Sequence, residues 1–163
     1  MKRRALLSTL PALALAPHIV LAAPVSIQLA IVVGQSAALT SISFSRLKAL
    51  FLGRVISSAN GRLVPFNRVT NTPYRVLFDK VVLEMDPDEV ARYWVDRKIR
   101  GETGAPEAFE TAEQLKTMLE RVPNSVGYVD ARDVGGPVHV IPVDGKLPGD
   151  PAYPVRILAE RST

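Results

Sequence analysis

The 163-residue chain contains no cysteine. Disulfide crosslinks, thiol redox chemistry, thiolate metal sites and a lipid-carrying N-terminal cysteine are therefore excluded. Histidine is almost as scarce, with two in the whole sequence, His18 and His139. A His-rich zinc centre needs more than that. A nucleophile activated by a positioned base would rest on His139 alone, in an alternating strand-like segment, and no Gly-x-Ser-x-Gly elbow supplies the nucleophile. Metal ligation by the acids Glu84, Asp86, Asp88 and Glu89 is the weaker reading of that cluster. Carboxylates at a helix start are stabilised by free N–H groups and the helix dipole, which already accounts for them. Nothing in the sequence argues for an enzyme, and no cofactor is expected.

A strong excess of one charge is also missing. Of the 20 basic residues, Lys2, Arg3 and Arg4 stand at the extreme N-terminus, ahead of a run from Ala5 to Val20 rich in Leu and Ala. That is the three-part pattern of an export signal, and Ala22 with Val20 two residues before it fits a cleavage site. Ser8, Thr9, Pro11, Pro17 and His18 interrupt the run, so it is a poor spanning helix and removal is expected. Arg3-Arg4-Ala5-Leu6-Leu7 also resembles a twin-arginine signal. The expected organisation is a signal peptide over 1–22, a domain over 23–145, and a Pro-rich extended C-terminal tail over 146–163. The mature chain keeps 17 basic residues against 16 acids, too balanced for a nucleic-acid surface, which needs a basic stripe interleaved with aromatics. Its apolar content, 47% of the whole chain, is ample for one exported globular domain that buries a core without crosslinks.

Hydrophobic periodicity and punctuation outline that domain. Val25 to Val33 starts in alternation and ends in a continuous apolar run, as in a central strand covered on both faces. Ser43 is a plausible N-cap for a short helix carrying Phe44, Leu47, Leu50 and Phe51, with Gly53 beyond its end. Asn60-Gly61 turns into a strand over Leu63–Asn67. Thr72 as N-cap and Pro73 at the first helical position open a helix through Leu83. Asp86-Pro87-Asp88-Glu89 opens another with a capping box, and Thr111 with Gln114 a third, ending near Arg121. Arg100–Phe109 reads as a loop, and Val126–Val129 and Val138–Val143 as two further strands. The sum is a layered α/β domain with a small mixed sheet of about four strands flanked by helices.

The segment from Arg68 to Arg75 carries the candidate chemistry, because it joins a strand end to a helix start through Thr70, Asn71 and Thr72. Free N–H groups at a helix start favour an anion, hydroxyls donate to it, and an arginine offers a two-pronged fork to phosphate-like oxygens. A cation in the first turn, Arg75, opposes the dipole unless an anion is close. The plainer alternative keeps Thr72 as a cap, Asn71 as a turn residue and Arg75 as an i,i+4 partner of Asp79.

The ordered set Leu47…Phe51-Leu52-Gly53, Asn60-Gly61, Pro65…Arg68, Phe78, Tyr93-Trp94, Gly101…Gly104-Ala105-Pro106 and Val126-Gly127-Tyr128-Val129, over residues 27–143, resembles the phosphate-type periplasmic substrate-binding proteins of ABC transporters, closely their short signal-bearing members. The resemblance implies a type II periplasmic-binding-protein fold, in which two lobes close on a ligand. It further implies a ligand loop of Arg, then Gly-Ser-Gly-Thr at a helix start, with Phe ten residues after the Arg. Arg68 and Phe78 keep that spacing, and Thr72 falls where the motif has its Ser. Pro73 and Tyr74 replace the second Gly and the Thr, removing one N–H, although the Tyr74 hydroxyl remains a donor. The mature chain is too short for two full lobes, so Ser36 in Gly34-Gln35-Ser36 is the one candidate for a donor from the other wall. By resemblance the ligand is phosphate or a similar small oxyanion, and the partner an ABC-transporter membrane component or another periplasmic protein. The rival expectation is a single lobe without a ligand that serves as a protein-interaction module.

Overall fold

In a computed structural model of the chain, residues 26–158 are described. The export signal, its cleavage site and the last five residues lie outside them. The organising element is β1 (Ser26–Gly34), whose side chains from Leu29 to Val33 are all fully buried. Alternation sends Leu29, Ile31 and Val33 into one apolar cluster and Ala30 and Val32 into another on the opposite face, as the uninterrupted apolar run requires.

Three helical segments cover the first face. Helix α1 (Phe44–Phe51) starts where Ser43 accepts from the Arg46 N–H at 3.3 Å. It ends at Gly53, whose φ of 78° lies in the region glycine enters without penalty. Helix α2 (Pro73–Phe78) widens at Asp79–Leu83 into a π-helical turn. Helix α3 (Pro87–Ile99) opens on a complete capping box between Asp86 and Glu89. Helix α4 (Ala112–Arg121), with its own box between Thr111 and Gln114, covers the second face through Leu115 and Leu119.

The remaining strands are the short ribbon β2 (Ser57–Ser58) with β3 (Gly61–Arg62), then β4 (Val64–Arg68), β5 (Glu107–Phe109), β6 (Ser125–Asp130), β7 (Val138–Val140) and β8 (Arg156–Leu158). The main sheet runs β5–β4–β6–β1–β7, with β8 also on β1. β4 is parallel to β5 and β6, whereas β6, β7 and β8 are antiparallel to β1. The architecture is thus layered and mixed α/β, with six strands in its sheet.

The two strands beyond the expected four are three residues each. β5 lies inside the stretch read as a loop, Arg100–Phe109, because Glu107-Ala108-Phe109 has too few positions to show a period. Its strand character comes from pairing with Phe66–Arg68 of β4. β8 forms where the chain after Pro148 returns to β1: the Tyr153 hydroxyl donates to the Leu29 carbonyl at 2.7 Å, and the Leu29 N–H donates to the Val155 carbonyl at 3.0 Å. Among the described residues no helix is long and apolar enough to cross a membrane.

Helix α4 lies so close to the sheet that side chains beneath it are constrained. A Cβ on Gly34 would stand 2.4 Å from the Leu119 carbonyl oxygen, which is backbone and cannot swing aside. Gly34→Ala is therefore expected to lower stability by about 1–3 kcal/mol through overpacking. Chemical denaturation should show a lower midpoint with an unchanged slope.

Candidate functional site

The end of β4 brings polar residues into the interior. Asn67, Arg68, Arg75 and Asp79 are all buried. The Asn67 carbonyl Oδ1 accepts from the Arg68 N–H at 2.9 Å and from the Tyr128 hydroxyl. The Tyr128 ring in turn lies flat on Phe78, with centroids 4.0 Å apart. Burial pushes the Tyr128 phenol far above its ordinary value, so it stays neutral and works as a hydrogen-bonding post beneath the loop.

Arg75 is the i,i+4 partner of Asp79: its Nε donates to both carboxylate oxygens, at 2.8 and 2.6 Å, and its Nη1 donates to the Arg68 carbonyl at 2.9 Å. The plainer reading of Arg75 is thus the observed one. Burial raises the Asp79 carboxyl above its ordinary value, with the Arg75 guanidinium opposing the shift. Desolvation outweighing attraction is the usual condition of a buried pair.

Arg68 is different. It is 7% exposed, its Nη2 donates to the Glu110 carbonyl, and its buried Nε has no partner. No carboxylate pairs with it among the described residues. The buried Asp130 at the neighbouring strand end is held by Arg132, with contacts of 2.9 and 2.6 Å. Those contacts keep the Asp130 carboxyl below the usual range. Among these buried side chains Arg75 is paired with Asp79 and Asp130 with the exposed Arg132, so the Arg68 guanidinium is left without a carboxylate partner.

Above them, Asn71 takes a left-handed φ of 72°, which asparagine tolerates better than most residues. Thr72 caps α2 as expected: its hydroxyl accepts from the Arg75 N–H at 3.3 Å and donates to the Val69 carbonyl at 3.1 Å. Among the described residues, the backbone N–H groups of Thr70, Asn71, Thr72 and Tyr74 have no acceptor. Beside this loop lies a cleft of about 320 Å³. Val69, Thr70 and Asn71 form its rim, and Arg75, Val76 and Asp79 one side. Pro87, Val90, Ala91 and Trp94 of α3 form the other, with Ala105, Pro106 and Ala108 closing the end.

The six candidate residues thus separate. Thr70 and Asn71 line the cleft, Arg68 is buried at the end of β4 against the Glu110 carbonyl and does not line it, and Thr72 is occupied as a cap. Tyr74 is half-buried and packs against the helix-covered core rather than into the cleft. Ser36 is at the other end of the sheet. β4 begins beside Ser125, β6 runs from there to Asp130, and antiparallel β1 ends opposite Val126, so Ser36 lies near Asn60 and Asn124 while Arg68 lies at the far end. One site cannot contain both. The cleft's apolar wall is not legible in the sequence, because Val90 and Trp94 carry the same periodicity that marks a core face.

No protein-family model matches the sequence, and no curated protein matches it. Solved structures do. One is a protein assigned as a phosphate ABC transporter substrate-binding protein, with phosphate bound, from Clostridium perfringens, at TM-score 0.59 and 15% identity over 74% of this chain and 46% of that one. An ABC-type phosphate transport receptor from Vibrio cholerae gives 0.65 and 17% over 80% and 54%. PstS from Borrelia burgdorferi gives 0.63 and 13% over 82% and 55%. The chain has the fold of these periplasmic binding proteins and spans about half their length.

Two outcomes follow from the charge arrangement. Asp79→Asn leaves Arg75 buried without a counter-charge and should cost about 3–5 kcal/mol, whereas Arg75→Met with Asp79→Leu should recover most of that loss, as read by denaturant midpoints. For Asp130, a folded pKa below the unfolded one means a contribution that is complete above the ordinary carboxylate range and lost as pH falls through the folded value. Asp130→Asn should accordingly flatten the acid limb of stability against pH, leaving the slope above neutrality unchanged.

Proposed function

We propose that the protein is an exported binding protein, not an enzyme, that holds phosphate or a related oxyanion at the β4–α2 loop for ABC-type uptake or sensing. The observation that carries this reading is the Arg68 guanidinium at the end of β4, buried without a carboxylate partner and with its Nε unpartnered, while Asp79 is taken by Arg75. An uncompensated buried charge is costly, and an anion above it relieves that cost. The acceptor-free N–H groups of Thr70, Asn71 and Thr72 are donors for its oxygens, Arg75 lines the cleft beside them, and Arg68 adds positive charge at the end of β4. Pro73 supplies no N–H, so the loop is a poorer cradle than one built on glycine. Export rests on the N-terminal signal pattern. The transporter partner rests on the likeness to substrate-binding proteins, which is one of fold.

A second reading, an interaction module, is favoured by two facts. The chain spans about half the length of its structural neighbours, and Val76 at the cleft and Val95 and Ile99 on α3 are exposed apolar residues.

The test is thermal unfolding of the mature chain with millimolar phosphate, sulfate or chloride at matched ionic strength. A ligand of the folded state at a hundred times its Kd stabilises by about 2.7 kcal/mol. The expected result is a rise with phosphate or sulfate but not chloride, absent in Arg68→Met. Equal midpoints in all three salts would refute oxyanion binding and leave the interaction module.

A further inference from the structure

The cleft beside the loop is built for something other than a bare inorganic anion. Inorganic phosphate presents oxygens in every direction, and each needs a donor or water. Here the loop and arginine donors stand at Thr70, Asn71 and Arg75, while Pro87, Val90, Ala91, Trp94 and Pro106 form an apolar wall opposite, in which the Trp94 Nε1 is buried without a partner. Oxygens desolvated against that wall would be left without partners. Asp79 does not alter this, since both of its oxygens are taken by Arg75 Nε.

Resting on the oxyanion reading, we propose that the ligand is an organic oxyanion: a tetrahedral acid head carrying a short apolar group that lies against Trp94. The head takes the loop, and the apolar body takes the wall. A cleft of about 320 Å³ is at the small end of sites for organic ligands. Trp94 is set firmly for this role. Its ring meets Tyr93 edge-on at 5.1 Å, and the Arg97 guanidinium sits 5.7 Å from its centroid. Arg97 is itself fixed by Glu102 at 2.7 Å. The Arg97–Glu102 pair at the far side of the ring thus holds it without occupying the cleft, which Arg97 does not line.

Trp94 is the only tryptophan in the chain, so its emission reads the wall directly. The probes are inorganic phosphate, methylphosphonate and phenylphosphonate, titrated into the mature chain at constant ionic strength, with Kd taken from tryptophan emission and from the rise in Tm. Phenylphosphonate is expected to bind about tenfold tighter than phosphate, the gain from covering roughly 55 Å² of apolar ligand surface, and to shift Trp94 emission. Ala91→Gln places an uncharged polar group on the exposed part of the wall. It should remove the preference for phenylphosphonate over phosphate. Equal affinity for all three probes, or a preference that survives Ala91→Gln, overturns the organic-ligand inference and leaves oxyanion binding standing. No response to any probe overturns both.

Discussion

The structure depends on one strand that has no face toward solvent. From Leu29 to Val33 every side chain of β1 is fully buried, so both faces must be covered and both edges paired. Helix α4 meets that demand on one face, and α1, α2 and α3 meet it on the other. β6 takes one edge, and β7 with the returning β8 shares the second. The close seat of α4 over Gly34 and Gly127 follows from the same demand, since a Cβ at either position would meet Leu119 or Leu115 within 3 Å. The chain has no crosslinks, so this two-sided burial is its main source of cohesion.

That arrangement also decides where polar chemistry can sit. The β4–β6–β1 registers place the end of β4 at one pole of the sheet and the end of β1 at the other. Asn67, Arg68 and Tyr128 meet at the first pole, over the stacked pair Phe78–Tyr128. The helix that starts there contributes Arg75 and Asp79. A rigid aromatic floor, a neutral phenol and a charge pair locked by two contacts leave little freedom beneath the loop. The unbalanced guanidinium is a fixed feature rather than a mobile surface charge.

How much of this was readable in the sequence follows from the range of the interactions involved. Ser43, Thr72, Asp86 and Thr111 all cap the helices they were assigned to, because a cap is settled within four residues. The burial of β1 was legible from its apolar run. The pairing of Arg75 with Asp79 was legible as an i,i+4 spacing. β5 was not, because three residues carry no period and its pairing is contributed by β4. The separation of Ser36 from Arg68 is not legible, because chain order says nothing about which end of a sheet a loop occupies; that depends on the registers of three strands. The cleft was hidden for a third reason. An apolar residue facing a cleft and one facing a core leave the same mark in the sequence.

Anion binding at the β4–α2 loop, as proposed, is tested most directly by a crystal structure of the mature chain grown with arsenate, with anomalous scattering used to locate arsenic. The expected result is a peak above the loop within hydrogen-bonding reach of the Thr70 and Asn71 amides, on the side of Arg75. A loop without a peak, with the Glu110 side chain turned in to neutralise Arg68, would contradict it.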